Sequence, residues 1–216
     1  GVLTLTDPAT AQPLAEFSFA PAAPDRAEAL LQAGGAELVL STRDTADALP
    51  RTLALDALVP VVAPDNPLAE FSSADLARAL SGEVENWAEI GGPDMPLVLH
   101  GLAPDSGLDE ALAARLGRDL APDVTHADLG ALASAVARDP WALAVTGQAV
   151  AGQAKPLILT DRCGFPLLPT SLAVKAEDYP LAMPVYLLAP KRRLPLMARE
   201  FLEFLAWPQA QAAIAG

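Results

Sequence analysis

Two periods of apolar residues alternate along this chain. Residues 2–5 and 14–19 are short apolar runs separated by Asp7-Pro8, the pattern of a β-hairpin. Pro24 and Asp25 open a helical stretch with Ala27, Leu30 and Leu31 at helical spacing, and Gly34-Gly35 closes it. Residues 37–40 read as a strand running into the polar cluster Ser41-Thr42-Arg43-Asp44. The next strong apolar run, residues 53–62, is broken only by Asp56 and ends in a proline-bounded turn over 63–67. Ser73 is placed to cap a helix over 74–80, with Leu76 and Leu80 on one side. Residues 97–99 form a strand leading to a loop over 101–105. Ser106 and Asp109 have capping-box spacing ahead of Leu108, Leu112 and Leu116, and Thr125 with Asp128 repeats it ahead of Leu129, Leu132 and Val136. Residues 142–145, 157–160, 172–174 and 185–188 are strand candidates, and Pro195 stands at the start of a last apolar helix.

Strands alternating with helices predict an α/β fold with a largely parallel sheet. Such sheets place ligands beyond the carboxyl ends of their strands. Three polar clusters fall there: Ser41-Thr42-Arg43, Asp105-Ser106 and Thr146-Gly147.

Composition narrows the function. A hydrophobic content of 52% over 216 residues supports a packed core in one large domain or two small lobes. A net charge of −13 argues against nucleic acid and against an anionic membrane surface. The apolar runs are too short and too interrupted for a membrane span, and no charged segment followed by an apolar one opens the chain as a signal peptide would. Cys163 is the only cysteine, and His100 and His126 lack zinc-ligand spacing, so neither a disulfide nor a metal or other cofactor is expected. A hydrolase built on Ser106 would need a nucleophile elbow and a placed histidine, and the sequence offers neither. Trp87 reads as a packing residue, the two histidines as ordinary hydrogen-bonded ones, and Lys191-Arg192-Arg193 as a solvated loop. Asp56 reads as a carboxylate that satisfies neighbouring backbone N–H groups.

Residues 55–67 (Leu-Asp-Ala-Leu-Val-Pro-Val-Val-Ala-Pro-Asp-Asn-Pro) resemble the crossing strand and turn of phosphate-type ABC-transporter substrate-binding proteins. Residues 76–92, with Ser81-Gly82, Asn86-Trp87 and Gly91-Gly92, resemble their helix and following turn, and are the most specific signal in the chain. Tyr179-Pro180-Leu181 and the helical residues 201–215 are similar to the family's return strand and terminal helices. The resemblance implies the two-lobe periplasmic-binding-protein fold of the second type, with a ligand cleft between lobes. Lobe one would be residues 1–64 plus 180–216 and lobe two residues 65–179, with crossings near 63–67 and 179–184. The family's opening strand, Gly-Ser-Thr-type anion loop and helix have no counterpart here, so the N-terminal unit is expected to be missing. The alanine- and proline-rich style is similar to members fused to an outer-membrane-protein-A-like domain, and an excised domain is the corresponding expectation.

By the same resemblance, Ser41, Thr42 and Arg43 match a post-strand Ser-Ser-Arg, and Ser106-Gly107 occupy a Ser-Gly-Thr position at a helix start. These five are the candidate ligand-binding residues. Hydroxyls, one guanidinium and a helix N-terminus suit an oxyanion, converging from the two lobes. The competing readings are a surface pairing of Arg43 with Asp44 or Asp47 and a simple capping role for Ser106. Leu108 stands where the family has Thr, and Leu102 where it has a phosphate-clamping Arg, so phosphate is expected to bind poorly. The expected function is a non-enzymatic, periplasmic solute-binding domain of the cell envelope for a small anion, serving a membrane transporter or envelope partner. The alternative is an interaction or scaffold module with a degenerate cleft.

Overall fold

A computed structural model describes residues 2–6, 10, 12–103, 106–176 and 178–215. The chain forms two compact units, Gly1–Ala54 with Tyr186–Gly216 and Leu55–Val185. It opens with β1 (Val2–Thr6) and β2 (Pro13–Ser18), paired antiparallel. The Asp7-Pro8 turn expected between them lies outside the described residues. Helix α1 (Pro24–Ala33) starts at a proline, whose missing N–H is harmless in a first turn, and ends at Gly34. Then come β3 (Val39–Ser41), β4 (Ala48–Val62) and β5 (Glu70–Ser72). Helix α2 (Ser73–Leu80) is capped by Ser72 rather than Ser73: the Ser72 hydroxyl accepts the Asp75 N–H at 3.0 Å.

A short 3-10 turn, Trp87–Ile90, precedes β6 (Val98–Leu102), α3 (Leu108–Leu116), β7 (Val124–His126) and α4 (Leu129–Val136). Thr125 belongs to β7, and Asp128 alone caps α4, accepting the Ala131 N–H at 2.8 Å. Strands β8 (Ala142–Gly147), β9 (Lys155–Pro156), β10 (Ile158–Thr160) and β11 (Pro166–Leu167) follow. Residues 172–174, expected as a strand, lie in helix α5 (Ser171–Lys175), because the Thr170 hydroxyl accepts the Ala173 N–H and starts a turn. Strand β12 (Ala182–Pro190) and helices α6 (Leu196–Phe204) and α7 (Pro208–Ala215) complete the chain.

In the first unit, β3 pairs antiparallel with β12, with Ser41 opposite Tyr186. Leu31, Val39, Ala48 and Leu188 form its core. Residues 191–193 form the exposed basic loop read from the sequence, and two of them also hold neighbouring backbone. Lys191 Nζ donates to the Ala46 carbonyl at 2.7 Å, and Arg192 Nη2 donates to the carbonyls of Leu31 and Ala36 at the end of α1.

In the second unit the pairing is mixed rather than largely parallel. Strand β8 is antiparallel to β4 and parallel to β6, which is parallel to β7; β10 is parallel to β5 and antiparallel to β11. Alternate residues of β8 serve two apolar clusters: Leu143 and Val145 pack with Trp87 and Leu99, Ala142 and Ala144 with Leu102 and Leu132. Burial on both faces explains why this stretch reads as an unbroken apolar run. The Tyr179 hydroxyl donates to the Leu58 carbonyl at 2.8 Å, and burial pushes its pKa far above the usual phenol value. Strands β4 and β12 carry the chain between the two units.

Candidate functional site

The first unit carries one half of the candidate residues. Ser41 ends β3, and its Oγ accepts the Arg43 N–H at 3.1 Å, so the hydroxyl shapes the turn in which Thr42 lies. The Arg43 guanidinium reaches the first turns of α1: Nη2 lies 2.5 Å from Asp25 Oδ1 and Nε 3.0 Å from Glu28 Oε1. Arg43 is therefore ion-paired, with Asp25 and Glu28 rather than Asp44 or Asp47. Its side chain keeps 32% exposure. The pairing partners sit 18 and 15 residues upstream, beyond any local spacing rule.

The second unit carries the other half, after β6. Asp105 lies outside the described residues. Ser106 is exposed, and its backbone N–H donates to the Ala103 carbonyl at 2.9 Å. It is not the helix cap. Gly107 takes that place in the left-handed region, φ 71°, with no side-chain cap bond, a conformation that favours glycine. The Ser106 Oγ accepts the Asp109 N–H only at 3.4 Å. Leu102 is buried in one apolar cluster and Leu108 packs against both, so the positions that would carry Arg and Thr in the family point into the core. Asp109 accepts the Leu102 N–H. Burial raises its pKa and that hydrogen bond lowers it, the burial prevailing.

The stretch with the strongest sequence signal is a packing device. Asn86 Oδ1 accepts the Ala88 N–H at 2.8 Å, and Glu89 reaches back to the Asn86 N–H at 3.1 Å, closing a capping box. Trp87 is fully buried and donates Nε1–H to the Trp141 carbonyl at 3.0 Å. A Cβ on Gly92 would stand 3.0 Å from the Trp87 carbonyl oxygen, which is why the turn closes on glycine. Asp56 is exposed and accepts the N–H of Ala57 at 2.8 Å, a local role.

The histidines, read separately in the sequence, meet: His100 Nδ1 and His126 Nε2 are 3.0 Å apart. Only their diagonal placement on adjacent parallel strands, with His100 opposite Val124, could have signalled it, and the sequence does not mark β7 as a strand. Among the described residues no group of three or more His, Cys, Asp or Glu is arranged to hold a metal ion, and no helix is long and apolar enough to cross a membrane.

A family profile described as a PBP superfamily domain matches residues 25–209. The chain belongs to the PBP superfamily. Its fold is the periplasmic-binding type that the resemblance implied. An ABC-type phosphate transport receptor from Vibrio cholerae superposes with TM-score 0.71 at 22% identity, over 87% of this chain and 80% of that one. A protein from Clostridium perfringens, solved with bound phosphate and assigned to the phosphate ABC-transporter substrate-binding proteins, superposes with TM-score 0.78 at 19% identity, over 88% and 81%. Among curated proteins, the phosphate-binding protein PstS of Borreliella burgdorferi is 39% identical over 41 residues, 19% of this PBP domain and 15% of that relative's length. The resemblance to phosphate-type receptors noted in the sequence thus extends to the fold, while the local identity covers a small part of the curated relative.

Proposed function

We propose that this PBP-superfamily domain is a non-enzymatic, periplasmic solute-binding domain that takes a small, singly charged oxyanion and serves a membrane transporter. The proposed contacts are Ser41, Thr42, Arg43, Ser106 and Gly107. The observation that carries the reading is the start of α3. Gly107 enters the helix in the left-handed region, and the positive dipole end of a helix start favours an anion.

Charge at both places favours a monoanion. Arg43 already faces Asp25 and Glu28, and Asp109 and Glu110 occupy the first turn of α3. A phosphate dianion would meet these carboxylates without the Arg and Thr replaced by Leu102 and Leu108. A carboxylate asks for less compensation. A thermal-shift screen with inorganic phosphate, acetate, longer monocarboxylates and neutral sugars tests the proposal. A monocarboxylate is expected to raise Tm well above any rise from phosphate, since ligand at about 100 Kd adds ~2.7 kcal/mol. A shift from sugars alone, or from no compound, would favour the scaffold alternative.

A further inference from the structure

His100 lies on β6 and His126 ends β7, with His100 opposite Val124 and Leu102 opposite His126 in the parallel register. The two rings meet along the diagonal. His100 Nδ1 and His126 Nε2 stand 3.0 Å apart, with the planes inclined by 21° and the centres separated by 5.1 Å. The residues are 26 positions apart in the chain, so no local ligand spacing announces the pair. On the far side, Nε2 of the buried His100 lies 3.3 Å from Asp139 Oδ2 and has no aligned hydrogen-bond partner among the described residues. Asp139 is itself held, its Oδ1 accepting the Trp141 N–H at 2.9 Å.

A carboxylate beside one nitrogen of a neutral imidazole favours the proton there and leaves the other nitrogen as a lone pair. Metal-bound histidines are backed in this way. Asp139 therefore favours the Nε2–H form of His100 and turns its Nδ1 lone pair toward His126. Without metal, His126 Nε2–H donates to that lone pair. With the His126 proton on Nδ1 instead, where water meets the half-buried ring, two imidazole lone pairs converge. We infer that His100 and His126 form an open two-histidine site for a borderline divalent cation of the zinc, nickel and copper class, with Asp139 as the positioning residue behind His100.

The geometry is close to what such an ion needs. Two nitrogens at ~2.0–2.1 Å from zinc, at the tetrahedral angle, stand about 3.3 Å apart, so the rings need to open by only a few tenths of an ångström. Imidazole nitrogen selects this class of ion over magnesium and calcium, which take oxygen. Among the described residues no third His, Cys, Asp or Glu joins the pair, so water completes the coordination and the site stays open. Charge assists entry: residues 55–185 hold 18 Asp and Glu against 7 Lys and Arg, a field that concentrates cations. The site does not rest on the proposed anion contacts.

The test is calorimetric titration of the untagged full chain with zinc and with magnesium, after removal of metal by a chelator, in a non-coordinating buffer at about pH 7.5. Zinc is expected to bind at one equivalent with micromolar affinity, weaker than a four-ligand structural site, and magnesium to give no matching event. Imidazole NMR should show zinc shifting His100 Nδ1 and His126 Nε2 together. Before zinc is added, the ring nitrogen shifts should report the Nε2–H form of His100. His126→Gln should weaken zinc at least about tenfold. Asp139→Asn, which keeps the Oδ1 acceptor for Trp141, should weaken it about tenfold through His100. Zinc that leaves either imidazole unmoved overturns the site. Zinc affinity that survives His126→Gln, in a chain shown by circular dichroism to be folded, places the ion on surface carboxylates and overturns it too. If His126→Gln does not fold, the wild-type imidazole shifts decide alone. Unchanged affinity in Asp139→Asn, or the Nδ1–H form of His100 in the metal-free chain, overturns the role of Asp139.

Discussion

Two short segments of the second unit, residues 86–92 and 106–108, show opposite relations between sequence signal and role. The first carries the chain's most family-like residues, and every one of them is explained by packing. Asn86 caps, Trp87 fills the core, and Gly92 lets the backbone close on Trp87. The second follows the buried Leu102, where the resemblance would put Arg, and holds Leu108 in place of Thr, yet it opens α3 through a left-handed glycine, and a helix start suits an anion. A strong motif therefore reports the fold, and a ligand's identity rests on a handful of weakly patterned positions.

The contrast can be broken by substitution. Trp87→Ala should cost about 3–5 kcal/mol in urea unfolding, because a fully buried indole leaves a cavity and its hydrogen bond to the Trp141 carbonyl is lost. A loss of ligand binding with stability intact would contradict the packing role. Gly92→Ala should cost about 1–3 kcal/mol, the range for forcing atoms into a packed site. Asn86→Ala should cost about 1 kcal/mol through the lost cap. Ser106→Ala should change stability by only a few tenths of a kcal/mol, since its long contact to Asp109 does not cap the helix, while weakening anion binding. Equal destabilisation by Ser106→Ala and Asn86→Ala would mean that Ser106 caps α3 as Asn86 caps its turn.

Stability should also depend on pH in one direction. His126 has a lowered folded-state pKa, so below 6.5 the unfolded chain binds more protons than the folded one. That contribution is complete above 6.5 and is lost as pH falls toward the depressed value. Urea midpoints taken across mild acid should fall in wild type, and the part due to His126 should be missing in His126→Gln.

Much of the fold was legible in the residues. Gly34 ended α1, Pro195 preceded α6, and the hairpin pairing of β1 with β2 followed its apolar runs. Local ambiguity defeated residues 172–174, where three apolar residues fit either period and the Thr170 cap decided for helix. The antiparallel pairing of β4 with β8 is non-local and has no signature in a single sequence. The candidate residues were legible as loop positions after strands. Their partners were not, because Arg43 with Asp25 and His100 with His126 join residues that only the folded backbone brings together.

Titration calorimetry of wild type and Arg43→Ala with acetate and with inorganic phosphate decides whether Arg43 belongs to a monoanion site. Arg43 is partly exposed and ion-paired at the surface, so its removal should alter stability by less than about 1 kcal/mol. The account predicts that wild type binds the carboxylate more tightly than phosphate and that Arg43→Ala weakens the carboxylate about tenfold or more, the scale of a charge-assisted contact. Tight phosphate binding that Arg43→Ala leaves unchanged would contradict it.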